Sequence, residues 1–77
     1  MLRVKSNLRN ILDERGISIR KLERMTKDYT MDGSGIKFET LRRLYHDTAQ
    51  QYHRDTTAVI CDTLDIEIGD LIILTKD

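Results

Sequence analysis

The chain has no proline and no tryptophan, a single cysteine and four glycines among 77 residues. Without proline, its helices must end at glycine, at caps or by packing. Cys61 alone cannot build a disulfide framework, so nothing points to secretion and a reducing cytoplasm is the default. The longest apolar run, Leu71 to Leu74, is far short of the ~20 residues a membrane span needs. Met1-Leu2-Arg3-Val4-Lys5 lacks the ~7–15-residue apolar core of a signal peptide. Aromatic residues make up only 5%. A domain of this length buries only ~60% of its unfolded surface. Its stability must come from efficient helix packing, from a partner subunit or from both.

The residues of catalytic and metal chemistry are equally sparse. His46, His53 and Cys61 lack zinc-finger spacing, and a fourth ligand is not evident, so neither a metal nor a cofactor is expected. No Ser-His-Asp or Cys-His arrangement is recognisable by spacing. Asp13 and Glu14 are adjacent on a helix and point apart. Gly33-Ser34-Gly35 does not fit the phosphate-binding glycine loop. The chain is also too small to enclose a deep active site. Together these points argue against an enzyme with a small-molecule substrate.

What is present is charge, unevenly placed. Lys and Arg total 13, as do Asp and Glu, for a formal net charge of zero. Residues 1–43 nevertheless hold eleven basic groups against six acids, a balance of +5, and residues 44–77 balance at −5. Such a division can present one positive face to a polyanion while the molecule stays neutral.

Hydrophobic spacing predicts five short helices. Leu8, Ile11 and Leu12 mark the first, which stops at Gly16. Ser18 caps the second, with Leu22 and Met25 inward. Asp28 to Gly35 is the only loop-like stretch. Ile36, Leu41, Leu44 and Tyr45 then share a face of a third helix. Thr48 to His53 reads as a connection, or as a fraying extension of that helix. Asp55 to Leu64 is a fourth helix with Val59, Ile60, Cys61 and Leu64 inward, and a fifth starts near Ile68. Leu2-Arg3-Val4 and Ile72-Ile73-Leu74 are β-prone and could pair, tying the termini together. The expected fold is a single all-α domain over residues 1–77 with a short terminal strand pair.

Short helices with a turn between the second and third suggest a helix-turn-helix. Ile17-Ser18-Ile19-Arg20-Lys21-Leu22 resembles the opening of the second helix in the lambda-repressor/Cro-type helix-turn-helix family. Ile36 to Tyr45 resembles that family's recognition helix, through its Ile-x-x-x-Thr-Leu-x-x-Leu pattern. Thr56 to Ile72 is similar to the closing helices of the small phage and mobile-element branch. Three features depart from the pattern. Leu22 and Ile36 are 14 positions apart, although this turn is normally three or four residues, so 28–35 reads as an insertion. Ile19 stands where a polar residue usually touches phosphate. Glu23 stands where a small residue usually lets the two helices pass closely.

The resemblance implies a sequence-specific DNA-binding transcriptional regulator, repressor-like, whose third helix enters the major groove. The base-contacting positions would be Lys37, Phe38, Glu39, Arg42 and Arg43. Arginine's fork matches guanine O6 and N7, glutamate accepts from cytosine N4, and Phe38 could touch a thymine methyl. Phe38 has the alternative of joining the core. Arg20, Lys21, Arg24, Lys27, Thr48 and Gln50 are the expected phosphate contacts, with the helix N-termini. One recognition helix carries little specificity, so a homodimer on a two-fold site is expected, with half-sites ~34 Å apart. Its surface would be Ile66 to Leu74, unless those residues complete the monomer core. The insertion has two readings: a hairpin-like wing over Tyr29 to Phe38, or a mobile loop ending in Ser34 as a helix cap. The departures lend support to a rival function, a protein-interaction module (antirepressor or assembly partner) that no longer binds DNA. The regulator reading needs Arg42 and Arg43 free to lie against bases. If they are locked inside the fold or pinned by carboxylates, the regulator reading collapses.

Overall fold

The computed structural model describes residues 1–76. The elements run β1 (Leu2–Ser6), α1 (Leu8–Arg15), α2 (Ile19–Thr26), a 3₁₀ turn (Lys27–Tyr29), α3 (Phe38–Tyr45), α4 (Arg54–Leu64), α5 (Ile68–Leu71) and β2 (Ile72–Lys76). Among these residues, five helices surround one core, and two strands pair antiparallel with Val4 opposite Leu74 and Ser6 opposite Ile72.

The core is aliphatic. Leu8, Ile11 and Leu12 from α1 meet Leu22 of α2, Leu41 and Leu44 of α3, Ile60 and Leu64 of α4, and Leu71 of α5. Thr57 and Thr63 are buried on α4, beside half-buried Val59 and Cys61. Thr63 is accommodated because its hydroxyl donates to the Val59 carbonyl at 2.7 Å, which satisfies a polar group that burial would otherwise penalise.

Helix ends follow the expected chemistry. The Ser18 hydroxyl accepts from the Lys21 amide at 3.0 Å. Gly16, with φ of 66°, lets the Ile17 amide reach back to the Leu12 carbonyl at 2.9 Å. Asp47 and Asp65 occupy the same left-handed region at φ of 57° and 54°. Thr48 then donates to Arg43, and Ile66 to Cys61, closing α3 and α4 as glycine would. Asp47 also works through its side chain, since Oδ1 accepts from the Ser6 amide at 2.9 Å. That bond ties the end of β1 to the end of α3.

The insertion is a turn seated on α2, with no strand over 29–38 and so no hairpin-like wing. Its first two residues, Asp28 and Tyr29, complete the 3₁₀ turn that extends α2. The chain then folds back onto α2. The Thr30 hydroxyl accepts from the Gly35 amide at 2.9 Å, and the buried Thr26 hydroxyl accepts from the Ile36 amide at 2.9 Å. Thr26 also donates to the Glu23 carbonyl at 2.7 Å. This holds Ile36 outside the helix, so α3 begins at Phe38 and not at Ile36. Ser34 does not cap it: its hydroxyl donates to Asp32 at 2.7 Å, and the N-cap position is Lys37.

The C-terminal segment divides its residues between two surfaces. Leu71 is in the core, with Ile66 and Ile72 packed against it. Ile68 and Leu74 are exposed, as are Leu2 and Val4. Val4 and Leu74 are directly opposed, so they share one face of the sheet.

Candidate nucleic-acid interface

Leu22 and Thr26 turn one side of α2 inward, which leaves Arg20, Lys21 and Arg24 on its outer side, all exposed. Ile19, which departs from the usual polar residue, packs against the core instead. Lys27 is exposed at the start of the 3₁₀ turn. On α3, Leu41 and Leu44 point inward, and Glu39, Arg42 and Arg43 occupy the opposite side, exposed. Two cationic faces thus lie on neighbouring, packed helices.

Contacts between the helices fix their relation. The Arg20 guanidinium lies over the Phe38 ring, 3.9 Å from its centroid, a cation–π arrangement. Phe38 is half-buried, so it is neither core nor free at the surface, and Arg20 covers it. At the other end of α3, the Tyr45 hydroxyl donates to Asp13 of α1 at 2.7 Å. That bond, with Arg9 near the ring at 5.8 Å, keys α3 to α1. Holding its proton for Asp13 pushes the Tyr45 hydroxyl above its ordinary pKa.

The expectation of free arginines is corrected. Arg42 grips Glu39 with two donors, Nε to Oε2 at 2.9 Å and Nη2 to Oε1. Arg43 Nε lies 3.4 Å from the same Oε1. Glu39 is therefore engaged within its own helix. These are exposed pairs at i, i+3 and i, i+4, which water screens and which stabilise little. They are displaceable, so they condition the interface without closing it. Glu23 likewise turns along its own helix to Arg20 at 3.5 Å. Lys21, Arg24, Lys27 and Lys37 form no ion pair among the described residues.

Beyond α3, a groove of about 320 Å³ opens between its end, the 48–53 connection and the start of α4. Arg43, Thr48 and Gln50 line it together. Thr40, Gln51 and Thr56 add hydroxyls and an amide. Of these, Thr40 and Thr56 were not legible as site residues, because a threonine facing a groove has the same sequence signature as one facing solvent. The positive half of the sequence is not all in this region: Arg15 donates to the Leu64 carbonyl and caps α4, and Arg3 approaches Asp47.

A helix pair with a cationic outer side, a half-buried aromatic at its junction and a polar groove beside it defines a helix-turn-helix domain. Residues 7–77 match the family model of the Cro/C1-type HTH DNA-binding domain. The chain belongs to that family, and DNA-binding regulation is its class of function. No curated protein and no solved structure matches it. Among the described residues, no helix is long and apolar enough to cross a membrane.

Proposed function

We propose that this domain is a sequence-specific, repressor-like regulator of phage or mobile-element type, acting in the cytoplasm by occluding a promoter. The observation that carries the reading is the outward face of α3. Glu39, Arg42 and Arg43 stand exposed opposite buried Leu41 and Leu44, on a helix braced at both ends by Arg20–Phe38 and Tyr45–Asp13. In this assignment Lys37, Glu39, Arg42 and Arg43 meet base edges, with Phe38 reaching them from its edge. Arg20, Lys21, Arg24 and Lys27 meet one run of phosphates, and Thr48 and Gln50 another.

Selection from random duplexes, followed by a salt titration, tests it. Affinity for the selected duplex should fall steeply with salt through counterion release. Arg43→Ala should reduce discrimination among duplexes by about 1–3 kcal/mol, with little change in melting temperature. Absence of duplex binding at low salt rules the regulator out. One observation favours the rival interaction module: Glu39 occupies both recognition arginines in the free protein. In that case the exposed arginines are a solvated surface, and Arg43→Ala changes nothing on DNA.

Dimerisation belongs to the same proposal. The exposed apolar face formed by Leu2, Val4 and Leu74 is the surface we assign to the two-fold contact, in place of the whole Ile66 to Leu74 segment. Leu74→Glu should shift sedimentation from dimer to monomer and leave the fold intact. A wild-type chain that sediments as a monomer at all concentrations refutes the assignment.

A further inference from the structure

The three charged side chains on the outer face of α3 do not act independently. Glu39 Oε2 lies 2.9 Å from Arg42 Nε, its Oε1 accepts from Arg42 Nη2, and the same Oε1 lies 3.4 Å from Arg43 Nε. Arg42 thus offers Glu39 a two-donor edge of the kind with which arginine grips guanine O6 and N7. The side chains are about half exposed, at 53% for Glu39, 45% for Arg42 and 61% for Arg43, so incoming DNA can reach them. The hydrogen bond from Arg42, with the charges of both arginines, holds the Glu39 carboxyl below its ordinary pKa. It remains ionised at neutral pH.

Building on the DNA-reading role proposed for α3, the geometry points to Glu39 as a specificity-determining residue that competes internally for Arg42 and Arg43. To release Arg42, a duplex must replace the two acceptors that the carboxylate supplies. Guanine offers two acceptors on one edge and can take its place. The displaced carboxylate then needs a new donor, and the N4 amine of a neighbouring cytosine supplies it. A duplex without that amine leaves a charged Glu39 facing base acceptors and phosphates as water is excluded, which is costly. Glu39 therefore weakens binding to duplexes that lack a cytosine in the base pair next to the guanine, and leaves binding to a duplex that supplies both little changed. This is discrimination by repulsion as well as by attraction.

Glu39→Gln preserves shape and removes the charge. Wild type and variant, as full chains, are titrated with a selected duplex and with a scrambled duplex of equal length at several salt concentrations. The variant should bind the scrambled duplex roughly 10-fold more tightly at low salt, and its ratio of selected to scrambled affinity should fall about 10-fold. The slope of log affinity against log salt should steepen by about 0.9 for each arginine released to a phosphate. Glu39→Ala should behave alike, with circular dichroism confirming helix content. A merely structural role for Glu39 would weaken both duplexes equally and leave ratio and slope unchanged, which overturns the inference. The sequences selected by wild type give a readout independent of any variant: a guanine must recur with a cytosine in the adjacent base pair, and the absence of that step also overturns it. If wild type binds no duplex, the DNA-binding reading fails and takes this one with it. If wild type selects a duplex and Glu39→Gln keeps the ratio, only the role of Glu39 fails.

Discussion

Replacing Leu41 with alanine is expected to unfold much of the protein and abolish DNA binding, although no charged group is touched. Leu41 is 0% exposed, and it lies on the inward side of the helix whose outer side carries Glu39, Arg42 and Arg43. Leucine-to-alanine changes in packed cores cost about 2–5 kcal/mol, more where the surroundings cannot collapse into the space. Collapse is hindered here, because Leu8, Leu12, Leu22 and Ile60 are themselves fully buried and belong to several different helices. A domain of this size has a total stability of roughly 4–12 kcal/mol, so the loss is a large share of the whole. Urea denaturation of the variant should show a midpoint shifted accordingly, with affinity for the selected duplex lost in parallel. Arg43→Ala is the contrasting case: discrimination falls and the denaturation midpoint stays. A Leu41→Ala unfolding free energy within about 1 kcal/mol of wild type would mean that α3 is not held by its inner face.

The same contrast explains how much of this molecule its sequence discloses. Leu8/Ile11/Leu12, Leu41/Leu44 and Ile60/Leu64 recur at helical spacing because an aliphatic core must be covered by one face of each helix. Their helices are found where that spacing places them. The β-prone ends do pair, with Val4 opposite Leu74, because both are rich in β-branched or aliphatic residues and meet across the fold. The insertion was not legible. Its path depends on the hydroxyls of Thr26 and Thr30 meeting the amides of Ile36 and Gly35, and a threonine that anchors a loop reads like any other polar residue. Thr26 did leave one trace, standing four positions after Leu22 and so on the inward face of α2. The arginines teach a related lesson. Glu39, Arg42 and Arg43 have the i, i+3 and i, i+4 spacing of intrahelical ion pairs, so their capture was visible in the sequence. The family resemblance points these same side chains at the groove instead. Spacing fixes what a side chain can reach along its own helix, and only the partner decides which contact prevails.

Gly35→Ala provides the sharpest test of how the insertion sets the start of α3. Gly35 has φ of 72°, and a Cβ there would lie 2.8 Å from Lys27 Cγ, 3.0 Å from Thr26 Oγ1 and 3.2 Å from the Glu23 carbonyl oxygen. The lysine methylene belongs to an exposed, flexible side chain and can move. The other two neighbours cannot yield easily. Thr26 is 0% exposed and held through both its donor and its acceptor, while the carbonyl is backbone of α2. Gly33 shares the φ of 72° but has nothing within 4 Å of its would-be Cβ, so Gly33→Ala isolates the conformational cost of about 1–2 kcal/mol. Gly35→Ala adds the close approach and should cost about 2–4 kcal/mol in urea unfolding, since displacing Thr26 also frees the Ile36 amide. Affinity for the selected duplex should fall beyond what lost stability explains, because the segment leading into Phe38 is re-aimed relative to α2. Equal losses for the two variants would mean that the turn is not seated on α2 and that α3 takes its direction from the core alone.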